Sequence, residues 1–372
     1  MKIYKDQQAF FEILRAGLWE KDARLSMLGS INLNEICRIA EEQAVVGLVA
    51  AGLEHVVDVK LPKEDVLPLV GQTLQLEQRN KAMNSFVAKL INQLRGQDVY
   101  ALLVKGQGIA QCYERPLWRS SGDVDLLLSN NNYKKANTIL SAIASSIDDE
   151  NHYNKHIAMT IDGWSVELHG SLRGGLWKRI DRELDKVQNF VFYEGNVRSW
   201  MNCNTQVFLP APNEDVVFVF SHILQHFYKE GIGLRQICDW CRLLWTCKDS
   251  LDLRLLESRI RKMGVRTEWK TFAALSVDYL GMPTEAMPFY SPEDRWSRKA
   301  DKVMQFVFET GNFGHNRDYS YYNRYPYVVY KLISFFRHTH DILRYMLIFP
   351  KDAFFVFVGV IIDGVRVMKN GK

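Results

Sequence analysis

The chain has 372 residues, 47% of them hydrophobic and 24% charged, with a formal net charge of +4. This length and balance allow a core shared by two or three domains and exclude a disordered or low-complexity chain. So small a charge gives no global field for nucleic acid, which argues against nucleic acid as a partner.

Cys37, Cys112, Cys203, Cys238, Cys241 and Cys247 follow no disulfide framework, and the opening residues carry no apolar signal-peptide run. Free thiols and a cytoplasmic location are therefore expected. Cys238 and Cys241 form a C-x-x-C inside a helical run with no second pair, which favours packing over zinc. No stretch reaches the roughly 18 apolar residues that span a bilayer. The apolar run 353–362 has the length of a buried helix, although with 345–349 it leaves contact with a membrane surface open.

Taken in order, residues 1–98 read as an all-helical region, with apolar periodicity over 7–19, 34–53 and 66–94. From Tyr100 the period changes: a strand over 100–104, a short helix over 107–113, a strand over 123–128 and a helix over 131–146. Two strand-like runs, 155–161 and 164–169, flank Asp162-Gly163, the strongest short hairpin signal. The stretch 189–209 reads as further strand with a loop, and Pro210-Ala211-Pro212 marks a boundary before helices over 216–229, 234–245, 251–263, 267–280, 292–310 and 328–347. The expected division is a helical region 1–98, a core 99–210 and a helical domain 211–372.

Candidate chemistry centres on Asp123-Val124-Asp125-Leu126-Leu127-Leu128. A strand period of two puts both carboxylates on one face, where adjacent anions need a cation, donors or water. Oxygen ligands of this kind suit Mg²⁺ shared with substrate phosphates; a strand end facing water is the plainer alternative. Lys105-Gly106 ends the preceding strand, Arg119 and Gly122 stand shortly before Asp123, and Val166-Glu167-Leu168-His169 follows on the hairpin.

These residues resemble the nucleotidyltransferase superfamily of polymerase-beta-like folds, with its Gly turn, helix and Asp-h-Asp strand. They are closer to a bacterial branch of uncharacterised nucleotidyltransferases, with a Lys-Gly turn, an Arg before the paired aspartates, a Glu-Leu-His strand and a helical C-terminal half with spaced histidines. The resemblance covers about residues 99–245 and departs from the superfamily at Lys105-Gly106-Gln107-Gly108, where Gly-Gly or Gly-Ser is usual. The spacing from Gly106 to Asp123 is also longer than usual.

The resemblance implies an α+β fold and Mg²⁺-dependent transfer of a nucleoside monophosphate from an NTP. Two metal ions would be held by Asp123, Asp125 and Glu167, the third carboxylate. Gly106, with Gly122, lets backbone approach phosphate, while Arg119 is an expected counter-charge and Lys105 is open equally to that role or to a structural salt bridge. His169 is open to three readings: a phosphate contact, a hydrogen bond to Glu167, or packing. His222 and His226 lie four apart on one helix face and Arg235 and Asp239 on the next; in the resembling family such positions line the cleft, and a buried polar cluster joining the two helices is the alternative. His-x-x-x-His lacks the Glu of metallopeptidases here, which sets that hydrolase reading aside.

The acceptor, a small molecule, sugar or protein, is not encoded in the motif. The altered turn leaves open a non-catalytic protein that senses a nucleotide or binds a partner. The Tyr- and Arg-rich run 312–345, including Tyr319, Tyr321, Tyr322, Arg324, Tyr325 and Tyr327, reads as a solvated or partner-facing surface.

Overall fold

The structure is a computed structural model that describes residues 4–317 and 324–358. Four helices precede the first strand: α1 (Lys5–Trp19), α2 (Leu33–Glu42), α3 (Val46–Glu54) and α4 (Lys63–Arg95). The single helix expected over 34–53 is two, because the chain reverses at Ala44, whose φ is 55°. The turn buries Gln43, whose side chain accepts from Leu234 N and donates to Val307 O, tying this corner to the C-terminal helices. α1 and α3 touch backbone to backbone: a Cβ on Gly17 would lie 1.9 Å from Leu48 O, and one on Gly52 1.9 Å from Ile13 O.

The sheet has seven strands among the described residues: β1 (Ala101–Val104), β2 (Val124–Leu128), β3 (Ser146–Ile147), β4 (His156–Ile161), β5 (Trp164–His169), β6 (Val197–Asn202) and β7 (Thr205–Pro210). Their order is β3-β4-β5-β2-β1-β7-β6. β2 pairs in parallel with β5, and β1 in parallel with β7; the other pairs are antiparallel. Asp162 and Gly163 both take positive φ, so the hairpin turn has the primed geometry that Asp-Gly favours. The helix after the first strand is shorter than expected, α5 (Gly106–Ala110), and α6 (Asn130–Ser141) follows β2.

One expectation fails outright. Residues 189–193 are not strand but the end of α7 (Lys178–Tyr193), whose Ile180, Leu184, Val187 and Val191 line one buried face. Packing of that stripe overrides the strand preference of Phe190-Val191-Phe192-Tyr193. Beyond β7 the chain is helical: α8 (Pro212–Lys229), α9 (Leu234–Cys247), α10 (Leu253–Met263), α11 (Arg266–Leu280), α12 (Asp294–Thr310) and a helix at Tyr327–Met346.

The two faces of the sheet are buried differently. Ala101, Leu103, Val124, Leu126, Leu128, Val166 and Leu168 pack under α4 and α6. On the other face Leu102, Val104 and Leu127 join a large apolar cluster with α1 and α7 to α12. Strand alternation therefore turns Asp125, Glu167 and His169 toward the C-terminal helices.

Tyr345, Ile348 and Phe349 are buried, with Tyr345 and Phe349 against Phe227 and Tyr228, rather than free for a membrane surface, whereas Leu347, Phe354 and Phe355 are exposed. No helix among the described residues is long and apolar enough to cross a membrane. Of the aromatic run, Tyr319, Tyr321 and Tyr322 lie outside the described residues, as do 359–362 of the apolar run, while Arg324 and Tyr325 are exposed.

Candidate active site

The parallel register of β2 and β5 sets Asp125 directly beside Glu167 and Leu127 beside His169. Asp123, one pleat before Asp125, completes the group: carboxylate oxygens of Asp123, Asp125 and Glu167 lie within 4.8 Å of one another. Asp125 is fully buried and the other two are partly exposed.

So much negative charge in one place needs compensation, and the sequence supplies it locally. Lys105 Nζ lies 2.6 Å from Asp125 Oδ1, and His169 Nε2 lies 2.8 Å from the same oxygen. The adjacent Asp125 charge, with burial, pushes the Asp123 carboxyl above its usual range against the pull of Lys105. Burial also opposes ionisation of Glu167, yet hydrogen bonds from His156 and His169 and the charge of Lys105 outweigh it and hold this carboxyl well below its usual range. Burial lowers the proton affinity of His169 and Lys105, but their carboxylate partners prevail and raise both.

The Lys-Gly turn is conformationally unusual. Lys105 has φ 58° and ψ −146°, a region that side chains rarely occupy, and Gly106 has φ 39°. Such strain costs about 1–3 kcal/mol and persists only where surroundings enforce it. Here it turns the chain so that Lys105 reaches Asp125 while Gly106 lines the cleft.

The cleft lies between this sheet face and α8 and α9, lined by Lys105, Gly106, Gly122, Asp123 and Asp125 with His222, Arg235, Asp239 and Phe313. His222, Arg235 and Asp239 thus face the carboxylates, but His226 does not line the cleft; its ring bonds His222 at 3.0 Å and Glu230 at 2.9 Å.

Three candidate phosphate contacts are paired within the protein. Arg119 is buried and forks onto Asp239, with Nε–Oδ1 and Nη2–Oδ2 both 2.7 Å, and gives Nη1 to Ser121 Oγ; its planar donors are spent within the protein. Lys105 pairs with Asp125, and His169 bonds Asp125 at 2.8 Å and stands 3.4 Å from Glu167 Oε2.

Arg235 is different. Its Nη1 donates to Ser120 O at 2.9 Å, its buried Nε has no partner among the described residues, and its guanidinium lies 5.6 Å from the Phe313 ring centre. Burial, and then the charge of Arg119, lower its proton affinity.

Two residues of the site were not singled out from the sequence. His156 stands opposite His169 across the β4–β5 ladder, and its Nε2 lies 3.1 Å from Glu167 Oε2. The two-residue Asp162-Gly163 turn fixes that register, so the signal was available. Phe313 reaches the cleft from a turn after α12, and nothing local in the sequence marks it.

Acidic residues on neighbouring strands beside a Lys-Gly turn, in a mixed sheet flanked by helices, define a nucleotidyltransferase-type fold. The family model described as an uncharacterised nucleotidyltransferase matches residues 29–281, and the chain belongs to that family. The match extends well beyond 99–245, taking in α2 to α4 on one side and α10 and α11 on the other. No curated protein and no solved structure matches.

Proposed function

We propose that the protein transfers a nucleoside monophosphate from an NTP to a hydroxyl of a small-molecule, sugar or protein acceptor, with Mg²⁺ held by Asp123, Asp125 and Glu167. The observation that carries this reading is the convergence of three carboxylates from adjacent strands to within 4.8 Å, two of them, Asp123 and Asp125, on the wall of a cleft. The donors fit the ion: all three are hard oxygens, and the upward push on Asp123 by Asp125 is a repulsion that a divalent cation relieves. When bound, Mg²⁺ in such a site lowers the pKa of an attacking hydroxyl and neutralises the triphosphate.

The chain's own residues supply the rest. Arg235, with unspent donors at the cleft, offers a guanidinium fork to phosphate oxygens. Lys105 pairs with Asp125 and, next to Gly106, is within side-chain reach of the same phosphates once a metal takes the carboxylate. Gly122 borders open space at that wall, where an added Cβ would meet nothing within 4 Å. Arg119 is a positioning residue that fastens the loop before Asp123 to α9 through Asp239. Glu167, held well below its usual range, suits a ligand better than a proton acceptor, which works best near the operating pH.

A second reading, a nucleotide sensor or partner-binding protein without turnover, is favoured by the neutralisation of Asp125 by Lys105 and His169. Incubating the chain with α-labelled NTPs, Mg²⁺ and cell lysate separates the two. Label transferred to an acceptor and abolished by Asp125→Asn supports the enzyme; nucleotide binding without transfer supports the sensor.

A further inference from the structure

We propose that His156, His169 and Glu167 form a second cation site, for a divalent transition metal of the zinc class, on the β4 side of the carboxylate trio. The site is distinct in chemistry from the all-oxygen set of Asp123, Asp125 and Glu167, and it stands whether or not the chain transfers nucleotides.

The placement follows from the hairpin. Antiparallel pairing puts His156 opposite His169 and Ala158 opposite Glu167, so both imidazoles and the carboxylate share one face, and the small Ala158 leaves the Glu167 side chain uncrowded. The two ring centres are 4.8 Å apart. His156 Nε2 lies 3.1 Å and His169 Nε2 3.4 Å from the same atom, Glu167 Oε2, and ligand atoms of all three residues lie within 4.8 Å of one another.

Those separations suit a shared ion. Donors about 2.0 Å from a tetrahedral centre lie roughly 3.3 Å from each other, the spacing of His156 and His169 from Glu167 here. Two imidazoles and one carboxylate, with a position left for water or substrate, form a donor set of zinc and its neighbours, whereas Mg²⁺ takes oxygen. All three side chains are partly exposed, so an ion can reach them from solvent. Lys105 stands on the other flank, against Asp125.

Glu167 belongs to both donor sets, and His169 also bonds Asp125. A zinc-class ion therefore draws Glu167 and His169 away from the aspartates, which makes it a competitor of the oxygen-bound ion.

The test is Co²⁺ titration of the metal-stripped full chain, followed by visible absorption. The expected result is one equivalent bound, with the intense visible bands of a four-coordinate ion, displaced by Zn²⁺ but not by excess Mg²⁺. His156→Ala weakens Co²⁺ binding by more than ~100-fold, beyond the 10–100-fold typical of losing an outer-shell partner. Asp123→Asn leaves the spectrum in place. His156→Cys restores tight binding and adds a thiolate-to-cobalt charge-transfer band, which decides the matter if the alanine variant fails to fold. Binding unchanged in His156→Ala, removed by Asp123→Asn, or absent from the unmutated chain overturns the proposal; in those cases the histidines only orient Glu167.

Discussion

Lys105 Nζ sits 2.6 Å from Asp125 Oδ1 at a residue whose backbone, at φ 58°, is held in a conformation few side chains adopt. The lysine acts as a resident counter-ion for a fully buried carboxylate. Lys105→Met leaves that charge with His169 alone, and removing one partner of a buried pair costs several kcal/mol. A loss of about 3 kcal/mol is expected in thermal or urea unfolding without divalent ions. Added Mg²⁺ should recover more stability in this variant than in the unmutated protein; equal Mg²⁺ effects in both would contradict the counter-ion role.

Arg235 is expected to contact the nucleotide. A hydrogen bond to a charged group is worth about 1.5–3 kcal/mol, so Arg235→Ala should weaken NTP binding roughly 10–100-fold, with Arg235→Lys recovering part of it. Calorimetric titration checks this. Unaltered affinity in Arg235→Ala would place the phosphates elsewhere in the cleft.

Arg119 and Asp239, by contrast, act on folding. Asp239→Asn leaves a buried guanidinium short of its partner carboxylate and should cost about 3 kcal/mol in urea unfolding. The double replacement Arg119→Met with Asp239→Leu removes both charges and should recover part of that loss. A cost below about 1 kcal/mol for the single variant would mean that the pair does not fasten the loop.

Glu268 supplies a pH test in the helical layer. It is fully buried with Tyr228 as a hydrogen-bond donor, and burial, followed by a hydrogen bond with Asp352 and then the charge of Asp352, pushes its carboxyl well above the usual 4.5. Above that pH the unfolded chain releases a proton that the folded chain keeps, so stability falls as pH rises toward the folded value. The slope is at most about 1.4 kcal/mol per pH unit for one proton. Glu268→Gln removes this decline: it should gain on the unmutated protein between pH 4.5 and 8 in urea unfolding. A constant offset across that window would show Glu268 ionised in the fold.

The helix pattern and the paired-aspartate strand were legible because apolar period and side-chain alternation are local properties. The Asp162-Gly163 turn even fixed which residue of β4 faces His169. The parallel pairing of β2 with β5 was not fixed by any local signal, since it depends on how α6 and β4 return the chain to the sheet. α7 was missed where Phe190 to Tyr193 favour strand on their own and only the buried stripe says helix. The turn between β6 and β7 runs through Cys203 and Asn204, both at positive φ without a glycine to announce it. Arg119 illustrates the site's limit: its sequence position suggests phosphate, but its partner Asp239 arrives from a helix 120 residues later.

The central claim, that Asp123, Asp125 and Glu167 hold Mg²⁺ beneath a nucleotide, is tested most directly by calorimetric titration of ATP, CTP, GTP and UTP into the protein with and without Mg²⁺. At least one NTP is expected to bind in a manner that requires Mg²⁺ and is lost in both Asp125→Asn and Glu167→Gln. Binding that ignores Mg²⁺, or that survives both substitutions, would contradict it.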